Sequence, residues 1–167
     1  MLAAMQTRPG LTPHATEDLF DWTSAQIAAS ALFRATPLER IDLVRRGVPA
    51  RFVPTLSAAM SQSKERIYAA SGLPRATIDR KIRASQRLNP DESERIIGLA
   101  RLIGQAHQMV AESGDLAGFD AARWVGEWLS ARVAALGGRT PGEFLDTAEG
   151  RELVSHFLAR QQTGAYS

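Results

Sequence analysis

One four-residue signal occurs three times in this chain: Thr36-Pro37-Leu38-Glu39, Asn89-Pro90-Asp91-Glu92 and Thr140-Pro141-Gly142-Glu143. Each has every part of a helix start. The Thr or Asn side chain caps the first backbone N–H groups. The proline takes the first helical position, where its missing N–H would be unpaired anyway, and the glutamate reaches back to the capping residue. A weaker version is Asp146-Thr147-Ala148-Glu149. Strands have no comparable signal, because no stretch alternates apolar and polar residues with β-branched enrichment. The expected fold class is therefore all-α.

The helix starts and glycine stops give a coarse map. Residues 1–15 are loose, with Pro9, Gly10 and Pro13 among small polar residues. Residues 16–33 form a helix on Leu19, Trp22, Ile27 and Phe33. Further helices are expected at 37–46, ended by Gly47, then at about 49–60, 64–70 and 75–85. A long helix from Pro90 to about Ser113 carries Ile96, Ile97, Leu99, Ala100, Ile103, His107 and Val110 on one face at the 3.6-residue period. Gly114 stops it. Another is expected from about Leu116 to Leu136, ended by Gly137-Gly138. Two short helices, about 141–146 and 149–161, close the chain.

Composition removes several function classes. There are no cysteines, so disulfides, thiolate metal sites and a cysteine nucleophile are excluded. Of the three histidines, His14, His107 and His156, none pairs at metal-ligand spacing, and no metal or cofactor is expected. No apolar run reaches membrane-spanning length, and no secretory signal is visible, so the expected compartment is the cytoplasm. Net charge is only +2, but it is unevenly spread. Residues 1–33 carry −2, residues 34–101 carry +7 and residues 102–167 carry −3. A basic middle between acidic ends suits a polyanion partner for the middle alone, although an Arg-rich solvated face gives the same count.

The most informative stretch runs from Ser63 to Ile82. It predicts a short helix, a turn at Gly72 and a second helix, with Ile67, Leu73, Ile78 and Ile82 as the shared apolar contact. Such a pair is a helix-turn-helix, whose second helix enters the DNA major groove. Arg75, Thr77, Asp79 and Arg80 are expected near base edges, with Arg83 and Arg87 nearer the backbone and Lys81 adding charge. An ordinary helical hairpin with a charged outer face is the alternative. Tyr68 stands where small residues usually permit close packing.

In the order of its parts the chain resembles the Xre/MbcA/ParS antitoxins, over roughly residues 36–167. The likeness lies in Leu43-Val44-Arg45-Arg46-Gly47-Val48-Pro49-Ala50, in Gly72 to Ile78, and in Arg87-Leu88-Asn89-Pro90-Asp91-Glu92-Ser93-Glu94-Arg95. Its most specific part is Leu136-Gly137-Gly138-Arg139-Thr140-Pro141-Gly142-Glu143-Phe144-Leu145-Asp146-Thr147, with Gly150 and the closing Gly164-Ala165-Tyr166. The resemblance implies a type II antitoxin that neutralises a RES-domain, NAD-consuming toxin by blocking its active-site cleft. It also implies a homodimer that represses its own operon by binding operator DNA, with a higher-order toxin–antitoxin complex. Arg139, Thr140, Arg151, Gly164, Ala165, Tyr166 and Ser167 are the implied toxin contacts. Tyr166 offers an aromatic plug at low entropy cost, with a frayed terminus as the alternative. After Trp128-Leu129 the family's proline-containing turn is missing, so this helix is expected to run long. The chain then divides into a partly helical extension (1–35), a DNA-binding helix-turn-helix module (36–88) and a toxin-binding and dimerisation module (89–167).

The remaining conspicuous residues have plainer explanations. Trp124 and Trp128 share a helix face and suit a core or a dimer seam. Asp115, Asp120, Asp146 and Glu149 stand at helix starts, where caps explain them. His107 suits a core or interface position. No nucleophile, base and orienting group come together, so no enzyme is expected. A stand-alone regulator, whose C-terminal half dimerises or senses a ligand, is the alternative function.

Overall fold

The computed structural model describes residues 20–162 of the chain. The described residues form eight α-helices: α1 (Ala25–Arg34), α2 (Pro37–Arg46), α3 (Phe52–Ala59), α4 (Lys64–Ser71), α5 (Arg75–Arg83), α6 (Pro90–Ser113), α7 (Ala121–Leu129) and α8 (Ala148–Gln162). Two 3-10 turns, Ala134–Leu136 and Pro141–Phe144, lie between α7 and α8. There is no strand among the described residues, only isolated pairings of Pro49 with Arg87 and Val133 with Arg139. The all-α expectation holds.

The capping chemistry works as the sequence implies. Thr36 and Asn89 each close a reciprocal capping box, with Glu39 and Glu92. The long helix has the expected bounds, and Gly114 caps it in the left-handed region. The third box behaves differently. Thr140 and Glu143 pair as expected, but they open only a 3-10 turn, and Thr147 restarts the chain as α8 by accepting the Gly150 N–H at 3.0 Å.

Two helices differ in length from their sequence expectation. α1 begins at Ala25, because Ser24 caps it by accepting the Ile27 N–H; residues 16–19 of the expected helix lie outside the described residues. α7 is much shorter than the expected span from Leu116 to Leu136. Asp120, not Leu116, opens it, accepting the Arg123 N–H at 3.0 Å. It stops at Leu129 despite the missing proline. The segment after it folds back, with the Val133 N–H donating to the Arg139 carbonyl at 3.0 Å. That return path presses against the helix end: a Cβ at Gly142 would lie 2.9 Å from the Leu129 carbonyl oxygen. One more helical turn would collide with it.

α6 is the axis of the molecule. Ile96, Ile97, Leu99, Ala100, Leu102, Ile103 and Ala106 are all buried on it, and α1, α2, α7 and α8 all pack against it. The apolar cluster is continuous, taking residues from α1, from the segment 36–88 and from the C-terminal helices. α1 lies closest, burying Ala25, Ala28, Ala29 and Leu32. Its backbone approaches so near that a Cβ at Gly104 would stand 2.2 Å from the Ala29 carbonyl oxygen. Phe20 and Trp22 extend this layer, Trp22 meeting Phe52 edge-on at 4.9 Å.

Gly104→Ala tests this crossing. The added methyl meets backbone, so overpacking costs about 3 kcal/mol, against a helix-propensity gain of roughly 1 kcal/mol. The expected net loss is about 2 kcal/mol, seen as a lower urea midpoint with an unchanged slope. Destabilisation below about 0.5 kcal/mol, the range of an ordinary surface change, would contradict the close approach.

Candidate functional sites

Ser63 opens α4 by accepting the Arg66 N–H, and Gly72 ends it with φ 64° and ψ 34°. In this left-handed conformation the Leu73 N–H reaches back to the Tyr68 carbonyl at 2.9 Å. A side chain at position 72 would also strike Arg95 and Asp146, since its Cβ would lie 2.8 Å from the Arg95 guanidinium and 3.2 Å from the Asp146 Cβ. α5 follows, sealed to α4 by buried Ile67, Leu73 and Ile78, with Ile82 half-buried. This is the expected helix-turn-helix.

The structure sorts the polar residues of α5 into two groups. Arg75, Arg80 and Arg83 are exposed, and Thr77 is half-exposed. Arg75 leans on Glu65 at 3.3 Å and Asp79 at 3.7 Å. Neither Arg80 nor Arg83 has an ion pair among the described residues. Asp79 turns inward instead of towards a base edge. It accepts the Tyr68 hydroxyl at 2.7 Å and lies 3.4 Å from the Lys64 ammonium. The Tyr68 hydrogen bond, with the Lys64 and Arg75 charges, holds the Asp79 carboxyl below its usual range. Burial, aided by the Asp79 charge, pushes the Tyr68 hydroxyl up. Tyr68 therefore does not obstruct the pair: its ring fills the interior and its hydroxyl finds the one acidic group of α5.

Lys81 is also occupied. Its ammonium pairs with the Glu92 carboxylate, with only 14% and 5% of the two side chains exposed. Glu92 accepts the Asn89 N–H at 2.8 Å as well. Arg87 donates to the Gly47 carbonyl at 2.8 Å, beside the paired backbones of Val48–Ala50 and Gln86–Leu88. Lys81 and Arg87 thus hold α5 and its exit onto the rest of the fold.

The C-terminal candidates are spread over two elements. Arg139 leaves the return path after α7, with its guanidinium 4.3 Å from the centre of the Phe144 ring and 3.6 Å from Glu143. Thr140 donates its N–H to Glu143 at 2.6 Å, which is the main cause of the lowered Glu143 pKa. Arg151, on α8, is nearly buried against α6; it donates to the Leu145 carbonyl at 3.1 Å and faces Glu94 at 3.8 Å. Gly164, Ala165, Tyr166 and Ser167 lie outside the described residues. Trp124 and Trp128 stack at 5.8 Å, and Phe157 extends the ladder at 6.2 Å from Trp128.

One contributor has no local signal in the sequence. Arg95 donates from one nitrogen to the Ser71 carbonyl at 3.1 Å and to the Asp146 carbonyl. It thereby ties the turn of the helix-turn-helix to the start of α8. Among the described residues no cluster of His, Asp or Glu could hold a metal ion, and no helix is long and apolar enough to cross a membrane.

Comparison with known proteins places both halves. Residues 39–101 match the family model of the antitoxin Xre-like helix-turn-helix domain. Residues 115–164 match the model of the antitoxin Xre/MbcA/ParS C-terminal toxin-binding domain. The chain is 41% identical over 140 residues to the Prs ADP-ribosylating antitoxin of Sphingobium sp. (strain YBL2), covering 84% of this chain and 88% of that protein. It is 28% identical over 146 residues to Antitoxin Xre of Yersinia enterocolitica, covering 87% of this chain and 90% of that protein.

The occupied state of Lys81 has a measurable consequence. Lys81→Met strands a buried carboxylate at Glu92 and should cost about 3 kcal/mol of stability by urea unfolding. Arg80→Met, on the exposed side of the same helix, should stay within about 0.5 kcal/mol of wild type. Equal effects at the two positions would refute the division of α5 into an inner and an outer face.

Proposed function

The chain belongs to the Xre/MbcA/ParS family of antitoxins, and on that premise we propose that it neutralises a RES-type, NAD-consuming toxin and represses its own operon by binding operator DNA. It has a toxin partner by family. The finer identity of that toxin draws on the Sphingobium relative, whose name includes ADP-ribosylation, a reaction that takes its ADP-ribose from NAD.

The observation that carries DNA binding is the outer face of α5. Arg75, Arg80 and Arg83 stand exposed on the second helix of a helix-turn-helix, within a segment of net charge +7. α5 enters the major groove, with Arg75, Thr77 and Arg80 nearest the bases and Arg83 nearer phosphate. Asp79 and Lys81 support this surface from within. Arg87 steadies the exit of the helix.

Residues 36–88 thus perform the DNA-binding work, and residues 89–167 bind toxin and dimerise. α6 is structurally common to both. The dimer sets two copies of α5 on the half-sites of a palindromic operator, and toxin binding changes the stoichiometry on DNA. Neutralisation is by occupation of the toxin's substrate cleft, with Tyr166 as the inserted anchor. Arg139 and Thr140 present the return path after α7 to the toxin surface. The protein acts in the cytoplasm, by binding and without catalysis.

For DNA binding, the measurement is affinity for a duplex spanning the chain's own promoter at several salt concentrations. Arg83→Ala should reduce the salt slope by about 0.9, the value of one lost phosphate contact, and Arg80→Ala should weaken binding to the promoter more than to unrelated duplex. Unchanged slope and affinity would overturn the placement of α5. For neutralisation, the measurement is growth on co-expression with a RES-type toxin. The full chain should restore growth, and deletion of residues 164–167 should abolish the rescue. Full rescue by the shortened chain would overturn the cleft-blocking role of the tail.

A further inference from the structure

α2, α6 and α8 enclose a groove of about 610 Å³ away from α5. Its apolar lining comes from Val44, Ile97 and Leu102, with the exposed Ile41 beside them. Four arginines line it as well, Arg40, Arg45, Arg101 and Arg151, against two acidic residues, Glu94 and Glu152. Each helix contributes positions spaced over two turns, such as Pro37 to Val44, Gly98 to Gln105 and Ala148 to Ser155. On α6 the lining runs from Glu94 to Gln105, so the groove extends about 16 Å along that helix.

Its walls are fixed. Gln105 and Ser155 exchange two hydrogen bonds, side-chain amide to backbone carbonyl at 2.9 Å and hydroxyl to amide oxygen at 2.8 Å, locking α8 to α6. Gly98 leaves room for Arg151 to lie across α6, since a Cβ there would meet the Arg151 side chain at 2.6 Å. Arg151 is spoken for by Leu145 and Glu94. Arg101 is not. Its Nε is buried without a hydrogen-bond partner, and no carboxylate pairs with it among the described residues. Burial, together with the neighbouring Arg40 charge, lowers its pKa. A half-buried guanidinium with an unpaired Nε beside a second guanidinium is a cost that an incoming anion offsets.

We propose that this groove receives an acidic, partly apolar segment of the toxin, with carboxylates pairing to Arg101, Arg40 and Arg45. The proposal rests on the toxin-binding reading and gives that reading a second contact surface. The α8 wall lies inside the segment matched to the toxin-binding domain, so the groove continues that region onto α2 and α6. The apolar lining fits peptide side chains, which a free inorganic anion does not possess. A second copy of this chain is disfavoured, because apposed grooves would bring like charges together.

The test uses the full chain with the RES-type toxin that it neutralises on co-expression. Arg45→Glu, at an exposed residue, should weaken toxin affinity at least threefold while leaving the melting temperature in place. In the wild-type chain, toxin should protect Arg101 from an arginine-selective dicarbonyl reagent, and inorganic phosphate at millimolar concentration should not. Undiminished affinity of the charge-reversed chain, or an Arg101 equally reactive in the complex, overturns the groove while the antitoxin reading stands. Protection by phosphate, or by raising the chain's own concentration, overturns the toxin as occupant. Failure of the wild-type chain to bind that toxin overturns the RES identity and the groove with it.

Discussion

The first turn of α6 is the junction on which the helix-turn-helix depends. A helix N-terminus presents unpaired N–H groups and a positive dipole end, and both favour a carboxylate there. Glu92 supplies it, buried, and uses it twice: for the Asn89 N–H and for the Lys81 ammonium arriving from α5. The next residue, Ser93, accepts the Val48 N–H at 2.9 Å and donates to the Leu88 carbonyl at 3.3 Å. One helix turn thus satisfies polar groups from the α2–α3 linker, α5 and the α5–α6 linker. With those groups paired, the apolar contacts of Ile78, Leu88 and Ile96 close over them.

What was legible in the sequence was local. Thr36-Pro37 and Asn89-Pro90 state their own geometry, because cap, proline and glutamate interact within one turn. Gly72 and Gly114 state theirs, because positive φ at a helix end is chiefly a glycine property. The pairing of Trp124 with Trp128 followed from helical spacing alone. What was illegible depended on partners distant in the chain. Asp79 and Lys81 look like surface polar residues until Tyr68 and Glu92 are folded beside them. The end of α7 at Leu129 is set by Gly142 returning against it, which no window around residue 129 contains. Leu116–Phe119 looked helical by composition, yet Gly118 has φ 74° there and Asp120 makes the cap.

The two halves matched to different family models are not independent bodies. Arg95, within the helix-turn-helix match, holds a carbonyl from each side: Ser71 at the turn and Asp146 before α8. α1, which precedes both matches, is packed into the spine they share. Two hydrogen bonds from one side chain to backbone carbonyls thus join the turn before α5 to the start of α8.

The inward anchoring of α5 also limits how this protein can be rewired. A helix that faced solvent on every polar position would be an interchangeable cassette, free to be transplanted from one relative into another. α5 is not, because Asp79 and Lys81 are keyed to Tyr68 and Glu92 in neighbouring helices. A grafted α5 would have to bring those two residues along, or the receiving scaffold would need new complements at 68 and 92. Substitutions confined to Arg75, Thr77, Arg80 and Arg83 leave both of those inward pairs in place.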